Sequence, residues 1–218
     1  VVIYDFRNGI IDSLFYSSIW GGKKGYSLER ISLNGQTNDS TNWVTSLDES
    51  GSTPGLENSI YSVPSYERND LVINEIMYDP ETNNSEYVEF YNLSTEPINI
   101  GGWMFEDENG NTNKLIETSF VIQPKDYFIL FADSSALANY NLFEYENKNI
   151  VGATSLGLVN TGELILLKDV RGNVIDSVFY SDDWNNRNIA STKNKSLERI
   201  NLNLDGNNPL NWSTSVNS

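Results

Sequence analysis

Neither cysteine nor histidine occurs in the chain. Without a thiol there is no disulfide, no thiolate nucleophile and no sulfur-bound zinc. Without imidazole there is no Ser-His-Asp triad, no histidine-bound metal and no imidazole base titrating near neutral pH. Absence of cysteine suits a reducing compartment and an exported protein held by core size alike, so location stays open. Basic side chains are few: 14 stand against 30 acidic ones, for a formal net charge of -16. A polyanion is repelled by phosphate backbones and by anionic membrane surfaces, so nucleic acid is not expected as a partner. Long apolar runs are missing too. The longest, such as "YFILFA" at 127–132, have strand length, against roughly 18 residues for a membrane helix, so no membrane insertion is expected.

What the chain does contain is short alternating apolar runs, with 39% hydrophobic and 12% aromatic residues, enough for a packed core. The runs "LVINEIMY" (71–78), "SEYVEFYNL" (85–93), "KDYFILFAD" (125–133), "GELILLKD" (162–169) and "NVIDSVFYS" (173–181) are rich in β-branched and aromatic residues and predict strands. Turn residues that tolerate positive φ stand at "RNG" (7–9), "ENGN" (108–111), "RGN" (171–173) and "LDG" (204–206). The one helical candidate is 133–141, capped by Asp133 or Ser134. Many strands with a single short helix predict a β-sandwich or barrel.

The ends of the sequence repeat each other. Residues 1–20 align without a gap onto 165–184, placing Asp5 on Asp169, Asp12 on Asp176, Tyr16 on Tyr180 and Trp20 on Trp184. Five extra residues enter the later copy, and the register resumes from Ser27 on Ser196 to Trp43 on Trp212. The unit is less than a domain. The expected division is therefore a rear half at 1–59, a linker at 60–70 and a complete module at 71–218, with the front half of the first module lying upstream of Val1 and the chain trimmed at both ends.

In this order, "LVINEIMYDP", "SEYVEFYNLSTEPINIGGWMFEDENG", "FVIQPKDYFILFAD", "LVNTGELILLKDVRGNVIDSVFYSDDW" and "SLERINLNLDGNNPLNW" resemble the lamin tail domain over essentially all of 71–218. The closing third of that domain is similar to 1–58, including "STPGLENS". The resemblance implies an all-β, immunoglobulin-like β-sandwich, in tandem with the first copy incomplete. Such domains occur in nuclear lamins and, in many bacteria, in accessory modules of exported or surface proteins. It implies no catalytic residues, because the family is defined by none.

Period-two alternation in "EYVEFYN" puts Val88 and Phe90 on one face, toward the core, and Tyr87, Glu89 and Tyr91 on the other. Glu75 and Glu89 sit in otherwise apolar strands and need a partner, and Arg199 is the repeated basic residue expected to pair with one of them. Its counterpart Arg30 is expected to lack that partner. Trp20, Trp43, Trp103, Trp184 and Trp212 could form a sugar-stacking platform; four occur as matched pairs, which favours packing positions. The acids Asp79, Glu81, Glu86 and Glu89, with Asp107 and Glu108, could hold calcium through oxygen ligands, Asp79, Glu81, Glu86 and Asp107 being the candidate set, or supply a glycosidase carboxylate pair. No other cofactor is expected. "NLNLDG" at 201–206 resembles the start of a calcium loop but meets Trp212 where Glu is required, and reads as a turn. Asp39-Ser40-Thr41 resembles an O-glycosylation site of bacterial exported proteins.

The expectation is a non-catalytic spacer, adhesion or protein-contact module of an exported or cell-surface bacterial protein. Its partners would be other proteins or neighbouring domains, with strand-edge pairing through 1–59, since half a sandwich exposes an apolar face and open edges. The alternative is an accessory carbohydrate- or calcium-binding module of a larger secreted hydrolase. Catalysis by paired carboxylates is the third reading.

Overall fold

The computed structural model describes residues 1–21, 23–62, 64–110, 112–114, 120–132, 149–152 and 156–216. The expected helix at 133–141 lies outside them. Every regular element among the described residues is a strand or a single 3₁₀ turn. They divide into two compact units at Ser65 and Tyr66.

The first unit is two hairpin-like pairs. β1 (Val2–Tyr4) pairs antiparallel with β2 (Ile10–Ser13), and β3 (Leu28–Arg30) with β4 (Trp43–Thr45). The β1–β2 turn is set locally: Asp5 Oδ1 accepts the Arg7 and Gly9 N–H groups at 2.8 and 2.7 Å, and Asn8 takes φ 64°. Asn42 likewise braces the loop ahead of β4, accepting from Ser32 N–H at 2.8 Å and donating to the Ser32 carbonyl at 3.0 Å. Val44, Leu47 and Ile60 are buried around Glu29.

The second unit is the sandwich. One sheet runs in the order β12 (Asn149–Gly152), β11 (Tyr127–Phe131), β6 (Tyr87–Asn92), β5 (Leu71–Met77), β15 (Leu197–Arg199), β16 (Trp212–Thr214). All its pairs are antiparallel except β11 with β12. The other runs β14 (Val174–Ser181), β13 (Gly162–Lys168), β8 (Met104–Asp107), β9 (Thr112–Lys114). The short pair β7 (Ile98–Asn99) and β10 (Val121–Ile122) stands beside them. Alternation decides the inner faces. Ile73, Phe90 and Phe128 share a register row, as do Ile76, Val88 and Leu130, and all are buried. Opposite them lie Phe105, Ile165, Leu167 and Val178, with Phe90 edge-on to Phe105 at 6.4 Å between ring centres.

The division at Ser65 and Tyr66 falls within 60–70, with Ile60 fully buried in the first unit and the Tyr66 hydroxyl accepting Asn99 N–H in the second. One expectation changes. "LDG" at 204–206 closes no hairpin and needs no positive φ. A Cβ at Gly206 would press on Val178 Cγ2 at 3.2 Å and on the Arg199 guanidinium at 3.3 Å, tighter than ordinary van der Waals contact.

Candidate functional site

In the second unit a charged pair bridges the two sheets from inside. Asp176 shares inward parity on β14 with Val178 and Tyr180, and Arg199 shares it on β15 with Leu197. Arg199 Nη1 lies 3.2 Å from Asp176 Oδ2, with side-chain exposures of 2% and 4%. Both ends also grip one residue of β5: Ile73 N–H donates to Asp176 Oδ2 at 2.8 Å, and Arg199 Nη1 donates to the Ile73 carbonyl at 3.1 Å. This is possible because β5 carries a bulge between Ile73 and Glu75. Arg199 Nη2 reaches the Leu204 carbonyl at 2.6 Å, while its Nε is buried without a hydrogen-bond partner. Burial pushes the Asp176 carboxyl up, against the lowering pull of Ile73 N–H, the Arg199 charge and Ser177 N–H.

Arg199 was expected to meet Glu75 or Glu89. Parity forbids it, because Glu89 points away from Val88 and Phe90, and Glu75 lies opposite Glu89 in register. The residue of β15 in their row is Glu198. Glu75 is instead satisfied by the Tyr87 and Ser196 hydroxyls, and Glu89 accepts Asn74 Nδ2 at 2.6 Å. Sequence reasoning missed Asp176, although an acid at an inward position of an alternating strand, repeated as Asp12, was a usable signal.

At the matching positions of the first unit the pair is open. Asp12 Oδ1 accepts Ser13 N–H at 2.8 Å and the Thr37 hydroxyl at 3.3 Å; Arg30 Nη2 donates to the Gly35 carbonyl at 2.6 Å and to Thr37 at 3.1 Å. Thr37 thus relays between two groups that touch directly in the second unit. Beside them Leu14, Tyr16, Tyr26, Leu28 and Trp43 help line a cavity of about 580 Å³. Their neighbours recur across the repeat: Phe15 N–H donates to Asn38 and Phe179 N–H to Asn207, both at 2.7 Å, while Trp43 donates to the Thr37 carbonyl at 2.8 Å and Trp212 to that of Gly206 at 2.7 Å.

The four acids read as a calcium set do not gather. Asp79 accepts Lys193 Nζ at 3.0 Å, Glu81 is exposed, Glu86 accepts Gly157 and Leu158 N–H at 3.0 and 3.3 Å, and Asp107 accepts Asn109 N–H at 2.9 Å. Among the described residues no three acids form a group that could hold a metal. Glu163, not foreseen, accepts Val159 N–H at 2.8 Å and the Tyr180 hydroxyl at 3.2 Å, with its other oxygen buried and unpartnered. Burial raises the Glu163 and Glu86 carboxyls and the Tyr180 hydroxyl. These groups tie the 157–159 loop to the sheet edge.

Trp103 is fully buried, edge-on to Tyr66 at 5.2 Å, and Trp212 is buried with Trp184 tilted against it at 6.0 Å; Trp20, Trp43 and Trp184 are half-buried. They form no exposed row. The Thr41 hydroxyl of the suggested glycosylation motif donates to Asp39 at 2.7 Å, as part of a turn cap.

A model of the Lamin Tail Domain family matches residues 64–182. The matched span takes in β5 to β14 and stops short of β15 and β16, which complete the same sheet. No curated protein matches the chain.

Proposed function

The chain belongs to the lamin tail domain family, and on that premise we propose that it is a non-catalytic structural and interaction module of an exported or cell-surface bacterial protein. The carrying observation is the use made of its charged groups. The Asp176–Arg199 pair is sealed between the sheets and spent on the backbone of Ile73, and Glu86 and Glu163 accept backbone N–H groups of one loop. Such groups order a scaffold; none is presented to a substrate. Limited proteolysis of intact cells producing the natural protein tests the placement: cleavage before lysis is expected, and protection until lysis overturns it. Titration of calcium during thermal melting should leave the midpoint in place, whereas a saturable rise would favour the calcium-binding alternative.

Residues 1–59 are, on this reading, the rear half of a second lamin-tail sandwich. The aligned sequences and the matching bonds of Asn38 with Asn207 and Trp43 with Trp212 support it. A copy of residues 66–164 joined directly to Val1 restores the register of the complete module, because Val1 aligns with Ile165. Hydrogen exchange at the Ile3 and Ile11 amides should then slow by at least tenfold (~1.4 kcal/mol of added protection). Unchanged exchange overturns the half-module reading.

A further inference from the structure

We propose that Asn207 is an edge lock: its side-chain amide stands where a neighbouring strand would bond to β14, and it keeps that edge from pairing with the same edge of a second copy of this chain. β14 ends its sheet, with β13 on one side and no strand on the other among the described residues. An edge strand of this kind offers a row of backbone N–H and carbonyl groups to any extended chain. Here the row is already taken. The Ile175 carbonyl accepts Asn69 N–H at 2.7 Å, and Ser177 N–H donates to Asp176 Oδ1 at 2.8 Å. The Asn207 amide covers the next two groups, donating to the Ser177 carbonyl at 2.9 Å and accepting Phe179 N–H at 2.7 Å. A side-chain amide that donates and accepts in this way reproduces one peptide group of a neighbouring strand, with no chain behind it to continue the ladder.

Recurrence separates the lock from the packing around it. On β2, Ser13 N–H donates to Asp12 Oδ1 at 2.8 Å, while Asn38 donates to the Ser13 carbonyl at 3.1 Å and accepts Phe15 N–H at 2.7 Å. Asp12 is exposed where Asp176 is buried. The same three bonds thus form whether the acid of the strand lies in a core or in solvent, so they do not arise from the sandwich interior.

The guarded segments account for the device. "IIDSLFYS" (10–17) and "VIDSVFYS" (174–181) are nearly identical, rich in β-branched and aromatic residues, and carry one charge each. Such composition pairs readily between chains, and adjacent repeats of similar sequence are prone to misassembly. The self-complementary partner is the same edge of another copy, since two β14 strands can meet antiparallel about a two-fold axis.

Sedimentation velocity of the full chain over a concentration series tests the lock, with thermal melts showing that each variant is folded at the working temperature. Asn207 is exposed, so its replacement leaves the core untouched. The wild type is expected to remain monomeric up to about 1 mM, and Asn207→Ala, which frees the Ser177 carbonyl and Phe179 N–H, to dimerise with a Kd at least about tenfold below that limit. Hydrogen exchange at the Phe179 amide should quicken in the dilute variant and slow again as the dimer forms. Asn207→Asp keeps the acceptor, loses the donor and sets a charge on the edge, so it should loosen the same loop yet stay monomeric. A folded Asn207→Ala chain that is monomeric throughout the range, or a wild type that dimerises as tightly, would overturn the proposal. Equal dimerisation of the alanine and aspartate variants would overturn it too, because association would then follow loop loosening and not the open edge.

Discussion

The hairpins β1–β2 and β13–β14 have matching sequences and matching turns but opposite surroundings. Asp5 and Asp169 each collect the N–H groups two and four residues on, at 2.7 to 2.9 Å. Yet Ile3 is 53% exposed and its match Leu167 is 0%; Ile11 is 65% exposed and Ile175 is 1%. The turn is made by five consecutive residues and forms wherever they occur. The buried face belongs to a second sheet, and only β13–β14 has one. A lone two-stranded hairpin is marginal in water, and among the described residues β1–β2 pairs with no further strand.

The largest expected break in this comparison is at the charged pair. Arg199→Met leaves Asp176 buried without its cation and should cost about 3–5 kcal/mol, whereas Arg30→Met loses only hydrogen bonds to Gly35 and Thr37 and should cost roughly 1 kcal/mol. Urea unfolding resolved by segment hydrogen exchange separates the two. Equal losses would mean that Arg30 already has a buried anion.

Next in size is the hairpin core. Leu167→Ala should cost about 2–5 kcal/mol through the cavity it leaves, and Ile3→Ala less than about 0.5 kcal/mol. Supplying a strand that covers β1–β2 should bring the second value toward the first.

The smallest contrast is between Glu29 and Glu198, the same residue of the repeated "SLER". Burial pushes Glu29 up, but the hydroxyls of Ser59, Thr53 and Ser46 and the Ile60 N–H together bring it below the usual range. Its contribution is thus present above the unfolded carboxylate value and lost as pH falls through the lower folded one. Glu29→Gln should cost about 1–3 kcal/mol at pH 7, with the cost vanishing in acid. Glu198 is exposed, but partial desolvation against the sheet, then the neighbouring charge of Glu75, raise it. A raised carboxyl favours the folded state at low pH and opposes it as pH climbs from the unfolded to the folded value, so Glu198→Gln should stabilise slightly at pH 7 and not in acid. Melting curves at pH 7 and pH 3.5 compare both variants; the same sign for both at pH 7 would erase the contrast.

Much of the architecture could be read from residues alone, and the reason is locality. The five strands expected at 71–78, 85–93, 125–133, 162–169 and 173–181 all form, with Val88 and Phe90 inward, because alternation needs only neighbours two apart. The positive φ of Asn8, Gly110 and Gly172 was equally visible in their turns. The strands β15 and β16 were harder to see, being three residues each with exposed Glu198 and Ser213 at their centres. The candidate site was read less well. Arg199 was singled out but assigned the wrong acid, because its true contacts, Asp176 and Ile73, lie 23 and 126 residues away, on strands whose register had to be known first.

Residue order alone settled the turns, the strand faces and the likeness between the two ends, since each depends on φ preferences and side-chain parity within a few positions. Which acid meets Arg199, why Glu29 is held low while Glu198 is pushed up, and why one hairpin is covered and its match is bare were decided only by assembly. Desolvation and charge pairing depend on what packs across the sheet, and that neighbour comes from distant parts of the chain.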